Sequence, residues 1–324
     1  MKKALTSISA VRITQYALFF AVLWLTPLTG ELEGSAFAQK TVNQDGLLYT
    51  IQSDNCVMTV DANNGGKVVS LKCDGKELIA QHAKSQGQSQ SQGQRPMRWE
   101  KPNDFGSTFW PAPQSEWNWP PIATYDSKPY AAVLSKTSVT LTSDKDAKYP
   151  YIFTKNYTPL GKGAFQIEYI IENAGDKEVK VAPWEITRVP SGGFIFCDAP
   201  EIYPATEMTY TTEMGWQWIQ FIAKRQNRKT FADCKGWLAF ANDGLLFVKQ
   251  FPDITSEEAA PGEEDFEIYF NQGQTYTEIE NQGKYATLAP AEKTSWTVKW
   301  TVKSVDPKAT KTELKALTEA IIRK

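Results

Sequence analysis

From Leu47 onward the chain alternates apolar and polar positions over short runs. LLYTIQ, CVMTV, KVVSLKC and KELIA occupy Leu47–Ala80, and period-two alternation over four to eight residues marks strands with one buried face. Further runs lie at Ala131–Leu134, Ser138–Leu141, Tyr151–Tyr157, Ala164–Glu172, Val179–Ala182 and Gly193–Cys197. The series continues through Gln217–Ile222, Gly236–Ala241, Leu245–Phe251, Phe266–Phe270, Tyr276–Glu280 and Trp296–Lys303. Turn signals such as Gly161-Lys-Gly163 and Asn173-Ala-Gly-Asp176 separate them. Many short strands at regular spacing predict an all-β antiparallel sandwich or barrel. One helix is expected, at the end, where Leu314, Leu317 and Ile321 recur at helical spacing within Thr312–Lys324. No linker interrupts Pro96–Pro307, so a single domain is expected over residues 39–324. Lys84–Arg95 (KSQGQSQSQGQR) has no apolar residues and should form a surface loop. His82, the sole histidine, stands at its edge and is not a catalytic candidate.

The first 38 residues read as an export signal. Lys2 and Lys3 give a positive start, Tyr16–Leu28 an apolar run too short to span a bilayer comfortably, and Ala36-Phe37-Ala38 a small-x-small cleavage site. The mature chain is expected to begin near Gln39 and to be periplasmic or secreted, with no membrane association after cleavage. The 35 basic and 37 acidic residues leave the chain near neutral, which argues against nucleic acid as a partner. Aromatic residues make up 12%, a composition that suits strands.

Four cysteines in an exported chain suggest two disulfides. Cys56–Cys73 reads as a hairpin closed by a type I′ turn at Asn64-Gly65. In that register Val60 faces Val69, Met58 faces Leu71 and Cys56 faces Cys73. The cysteines then fall on a non-hydrogen-bonded rung with Cα atoms about 4.5 Å apart, within reach of a disulfide. The second bridge, Cys197–Cys234, follows by elimination. With one histidine and no CxxC spacing, no metal site is expected. GxSxG, GxGxxG and P-loop motifs are all missing, and no cofactor is expected.

The segment Gly106–Pro121, GSTFWPAPQSEWNWPP, concentrates Trp110, Trp117 and Trp119 with Phe109 and four prolines. Proline at that density predicts a rigid loop. Stiff loops carrying aromatic rings either wall a binding site or plug the end of a sheet. Gln114, Glu116 and Asn118 favour the site, because polar groups among aromatics are what a sugar or small polar ligand needs. Arg98 precedes the loop and joins the candidate ligand-binding set Trp117, Asn118, Trp119, Trp184 and Arg188. Glu278 and Glu280 alternate onto one strand face. Trp216 and Trp218 share a face, which reads as core. Lys224, Arg225, Arg228 and Lys229 read as a solvated basic turn.

Several segments resemble the galactose-mutarotase-like superfamily. Gly65–Leu71 with Asp74–Leu78 is similar to its opening hairpin, and Ala164–Ala182 to its central strand pair, with Asn173 before the turn. Ile279-Glu280-Asn281-Gln282, Leu288-Ala-Pro290 and Trp296–Trp300 are similar to its last strands. FGSTFWPAPQSEWNWPP and PWEITRVPSGG resemble an uncharacterised secreted bacterial family within it. The resemblance implies an all-β antiparallel β-supersandwich, to which the periodicity adds a short C-terminal helix, and a carbohydrate as ligand. It also implies Glu280 as catalytic base. The family's acid is a histidine after the strand that here ends at Val181, where this chain has Pro183–Arg188 instead. Anomer interconversion needs both a base and an acid. Glu185 could be that acid only if it stayed protonated at neutral pH, which burial promotes. Arg188 holds its proton too firmly. A glycosidase-like carboxylate pair is a related reading. Three functions compete: a sugar-binding protein, an epimerase or other glycan-active enzyme using Glu280 and Glu185, and a protein-interaction module using the aromatic loop.

Overall fold

The structure is a computed structural model that describes residues 40–81, 105–203, 209–220, 228–271 and 276–323. The segment expected to be an export signal, His82, the Ser/Gln/Gly-rich segment, Arg98, Lys224 and Arg225 lie outside these residues.

The described strands form two antiparallel sheets, one of eleven and one of ten. They sandwich a core of aliphatic and aromatic side chains drawn from both, including Met58, Phe109, Phe153, Ile167, Tyr169, Phe247 and Val298. The alternation read from the sequence is visible in the strand Tyr151–Gly161, whose residues are buried at every second position. Period-two side-chain placement makes this the expected result for strands covered on one face.

The Cys56–Cys73 hairpin keeps its expected outer register, with Cys56 opposite Cys73 and Met58 opposite Leu71. The two cysteines are bridged, with Cα atoms 4.1 Å apart. Nearer the turn a bulge between Thr59 and Val60 sets Val60 opposite Val68 rather than Val69. A two-residue turn is therefore replaced by a wider loop. Its backbone docks on a neighbouring segment, where Gly65 N–H donates to Lys128 O. Gly65 has φ +65°, and a Cβ there would stand 2.1 Å from Asp126 O, so only glycine fits.

The carbonyls of Gly65 and Gly66 accept hydrogen bonds from Lys155 Nζ (2.7 Å) and Tyr157 Oη (2.8 Å). Burial, and then the nearby charge of Lys67, push the fully buried Lys155 down to about 7. The unfolded chain holds this proton up to the ordinary 10.5, so between pH 7 and 10 the unfolded state binds more protons. Stability contributed by this site therefore rises with pH over that window. Denaturant unfolding at pH 7 and pH 10 should show the parent gaining on a Lys155→Met variant. An unchanged difference would mean that Lys155 titrates normally.

Two strands depart from expectation. Ser107–Ala112, read as part of the aromatic loop, is an interior strand of the larger sheet, and Val179–Pro190 continues as one strand through Pro183. Both carry a proline, and Pro183 sits directly opposite Pro111. Arg188 N–H donates to Gly106 O, so the hydrogen-bonded rungs of this pair are 188/106, 186/108, 184/110 and 182/112. Pro183/Pro111 falls on a non-hydrogen-bonded rung, where neither missing N–H is needed between the two strands. The rest of the aromatic segment is loop apart from one 3₁₀ turn at Gln114–Glu116.

The terminal helix is Lys311–Ile322, started by a Thr310/Glu313 capping box, and an unexpected single helical turn spans Ala123–Asp126. It buries Leu314 and Thr318, whereas Leu317 is 42% exposed. The helix leans on a satellite cluster of Phe196, Trp216, Trp218, Trp237 and Leu246. Trp216 and Trp218 are core residues, as their shared face suggested. Lys315 covers the Trp216 ring at 3.6 Å, so a polar residue completes the packed side.

The expected Cys197–Cys234 bridge is not formed. Both cysteines are buried free thiols in hydrogen-bond contact. Packing of the two sheets brings them together without a covalent bond. Burial, reinforced by Cys197, raises the Cys234 thiol well above its usual range, which keeps it protonated and unreactive.

Candidate functional site

Five neighbouring strands of the larger sheet build the site: Ser107–Ala112, Val179–Pro190, Tyr276–Gln282, Phe266–Phe270 and Arg228–Ala232. Their register sets the chemistry. Trp184 lies opposite Trp110 and Gln282, and Ile186 opposite Thr108 and Glu280. Glu280 lies opposite Glu267, and Arg188 opposite Glu278. All of these share one face, because directly opposed residues point the same way. That face floors a cleft of about 500 Å³. Its walls are Trp110, Trp119, Trp184, Tyr269 and Tyr276, and its polar lining includes Lys229, Glu278 and Glu280.

Lys229 organises the floor. Its Nζ lies 2.5 Å from Glu267 Oε2, 3.3 Å from Glu280 Oε2 and 4.0 Å from Glu263 Oε2. It also stands 4.8 Å above the Trp184 ring, a cation–π distance. Burial disfavours the charge on Lys229, but Glu280, Glu267 and Glu263 outweigh it and lift the ammonium above its ordinary range. Burial pushes Glu267 up against the opposing pull of Lys229. Glu280 is 1% exposed and accepts the Trp184 indole N–H at 3.0 Å. Gln282 Nε2 donates to Glu267 Oε1 at 2.8 Å, closing the network.

Beside this network Arg188 pairs with Glu278 at 2.8 Å and lies over the rings of Trp110 and Tyr276. Trp110 in turn donates to Asp126 Oδ1 at 2.9 Å. Burial would raise Asp126, but Lys67 at 3.1 Å, the Trp110 indole and Arg188 outweigh it and lower it.

The candidate residues divide. Glu280, Trp184 and Trp119 line the cleft. Trp119 is 55% exposed, with its ring 6.3 Å from that of Trp110. Trp117 supports the wall from behind, edge-on to Trp110, and donates to Pro111 O. Asn118 is exposed with φ +58°, a conformation asparagine tolerates, and shapes the loop. Arg188 belongs to the floor.

Glu185 does not share the cleft. Glu185 opposes Asn281, one position away from the Ile186/Glu280 rung, so its side chain points through the sheet into the core. There it is fully buried, ion-paired to Lys249 at 2.6 Å, and it accepts Tyr169 Oη at 2.5 Å and Trp300 Nε1 at 3.1 Å. Burial pushes Lys249 down against the pull of Glu185. Arg188, three positions along the strand from Glu185, lies on the opposite face, so the two side chains do not meet.

Residues the sequence reading missed are Lys229, Glu267, Tyr269 and Tyr276. Lys229 reads in the sequence as part of a solvated turn, yet it alternates with Phe231 on the strand Arg228–Ala232. Glu267 carried a usable signal, an acid inside the otherwise apolar run FEIYF.

No family model matches the chain, and no curated protein matches it significantly. Solved structures do match. A galactose mutarotase-like protein from Clostridium acetobutylicum aligns at TM-score 0.54 and 10% identity, over 83% of this chain and 99% of its own. The Slr1438 protein of Synechocystis sp. PCC 6803 aligns at TM-score 0.54 and 14% identity, over 82% and 98%. A galactose mutarotase related enzyme from Lactobacillus acidophilus aligns at TM-score 0.51 and 11% identity, over 81% and 99%. The chain has the galactose-mutarotase-like fold, an antiparallel β-sandwich with a short C-terminal helix.

Proposed function

We propose that this is an exported carbohydrate-binding protein whose cleft holds a neutral sugar without turning it over. The observation that carries this reading is the exposed ring of Trp119, backed by the buried Trp110 and Trp184, at a cleft whose floor holds Lys229 and Glu280. Flat aromatic faces suit the apolar C–H faces of a pyranose, and a few fixed polar groups suit its hydroxyls. The floor carries more carboxylates than cations, which disfavours acidic sugars.

Proton transfer is less well served. Glu280 already accepts the Trp184 N–H and the Lys229 ammonium, and Lys229 is held in its charged form. Glu185, the acid expected from the sequence, faces away. The epimerase reading rests on Glu280 alone, a buried carboxylate at the cleft floor.

Thermal-shift and calorimetric titration with neutral mono- and oligosaccharides tests the proposal, since a ligand that binds the native state raises Tm by mass action. Trp119→Ala should weaken binding about tenfold, the equivalent of ~1.4 kcal/mol, and leave the melting temperature unchanged because the ring is largely exposed. NMR anomer exchange should run at the spontaneous rate with the parent. Acceleration by the parent that Glu280→Gln abolishes would establish the epimerase instead. Silence across the whole panel would favour a protein partner for the exposed tryptophan.

A further inference from the structure

A second group of carboxylates lies outside the cleft lining. Asp233 follows the strand Arg228–Ala232, Asp253 follows Leu245–Gln250, and Asp265 immediately precedes Phe266–Phe270. One carboxylate oxygen from each lies within 4.8 Å of the other two. Asp265 is 1% exposed. Its Oδ1 accepts the Cys234 N–H at 2.9 Å, and its Oδ2 is buried with no hydrogen-bond partner among the described residues. A buried carboxylate oxygen without a donor is costly and calls for a partner. Burial first, then the charges of Asp233, Asp253 and Glu264, push Asp265 up to about 8. The main electrostatic neighbours are thus like charges.

We propose that Asp233, Asp253 and Asp265 form a calcium site. The donors are hard carboxylate oxygens, which select calcium or magnesium over softer metals. The donors all lie within 4.8 Å of one another, inside the span of a calcium coordination sphere of about 2.4 Å radius, so a single ion reaches all three. Magnesium, at 2.0–2.1 Å, demands a tighter octahedron. Asp253 is exposed and Asp233 half-buried, so the outer face is open to the waters that complete six to eight ligands.

The ion would tie the end of a strand in the larger sheet (Asp233) to the segment after a strand of the smaller one (Asp253). It would also hold Asp265, whose carbonyl accepts Gln282 N–H. Gln282 Nε2 contacts Glu263 and Glu267, so the site would brace the cleft floor from behind.

The test uses the full chain, stripped with a chelator and titrated with calcium chloride and, separately, magnesium chloride, by calorimetry and thermal shift. Calcium should bind one-to-one with Kd on the order of 10⁻⁴ M, as in open extracellular sites. It should raise Tm by about 4 °C at a hundredfold excess over Kd, with magnesium much weaker. Asp253→Asn and Asp233→Asn, both at accessible positions, should fold and each weaken calcium binding at least tenfold. Absence of heat and of a Tm shift up to 10 mM calcium would overturn the proposal. So would undiminished calcium binding by both variants, which would place the ion elsewhere.

Discussion

A Lys249→Met variant should lose about 3–5 kcal/mol of stability, a melting temperature lower by roughly 5–10 °C. Lys249 and Glu185 are both fully buried and 2.6 Å apart. Removing the ammonium leaves a carboxylate in the core with only neutral donors, Tyr169 and Trp300, and an uncompensated buried charge is among the costliest defects a core can hold. Adding Glu185→Gln should restore most of the loss. The amide oxygen still accepts the Trp300 indole N–H, its NH2 donates to a Tyr169 hydroxyl that turns to accept, and the charge is removed. Chemical denaturation of the four proteins gives the coupling energy directly. Equal stability of Lys249→Met and the parent would mean that the Lys249–Glu185 contact contributes nothing to stability, and the ion pair would have to be discarded. The double variant should also bind sugar like the parent, since Glu185 faces away from the cleft. Lost binding with an intact fold would return Glu185 to the site.

The second large effect is expected from Lys229→Met, in both stability and binding. Lys229 neutralises Glu267 and Glu280 and approaches Glu263. About a quarter of its side chain is exposed, so solvent softens the loss to about 2 kcal/mol at neutral pH. The deficit should depend on pH with a definite sign. Glu267 already sits above its ordinary value through burial, and without Lys229 it rises further. A carboxyl raised in the folded state contributes stability that is present at low pH and lost as pH rises. The variant should therefore be most impaired at pH 7–8 and approach the parent near pH 4.5. A pH-independent deficit would mean that the carboxylates find another cation. Sugar affinity should fall at least tenfold, because the cleft loses a charged donor and gains net negative charge. Parent-like affinity with reduced stability would reduce Lys229 to a structural counter-ion.

The strand-rich architecture, the hairpin that sets Cys56 against Cys73 and the terminal helix are legible in the residues alone. These follow from local periodicity, where each residue's burial is encoded by its neighbours two or four positions away. The placement of Glu278 and Glu280 on one face was legible for the same reason, as was the core role of Trp216 and Trp218. Tertiary structure decided what periodicity cannot carry. Pro111 and Pro183 look like breakers one at a time; paired on a non-hydrogen-bonded rung they leave a central strand intact, and only the pairing reveals this. Once Val179–Pro190 is continuous, Glu185 and Arg188 must face opposite ways, and the acid expected in the cleft becomes a buried partner of Lys249. Lys229 and Glu267 are distant from Glu280 in sequence and meet it only across the sheet. Cys197 and Cys234 show the remaining limit: elimination named two residues that the fold brings together, but whether the thiols join depends on packing between the sheets, which sequence spacing does not encode.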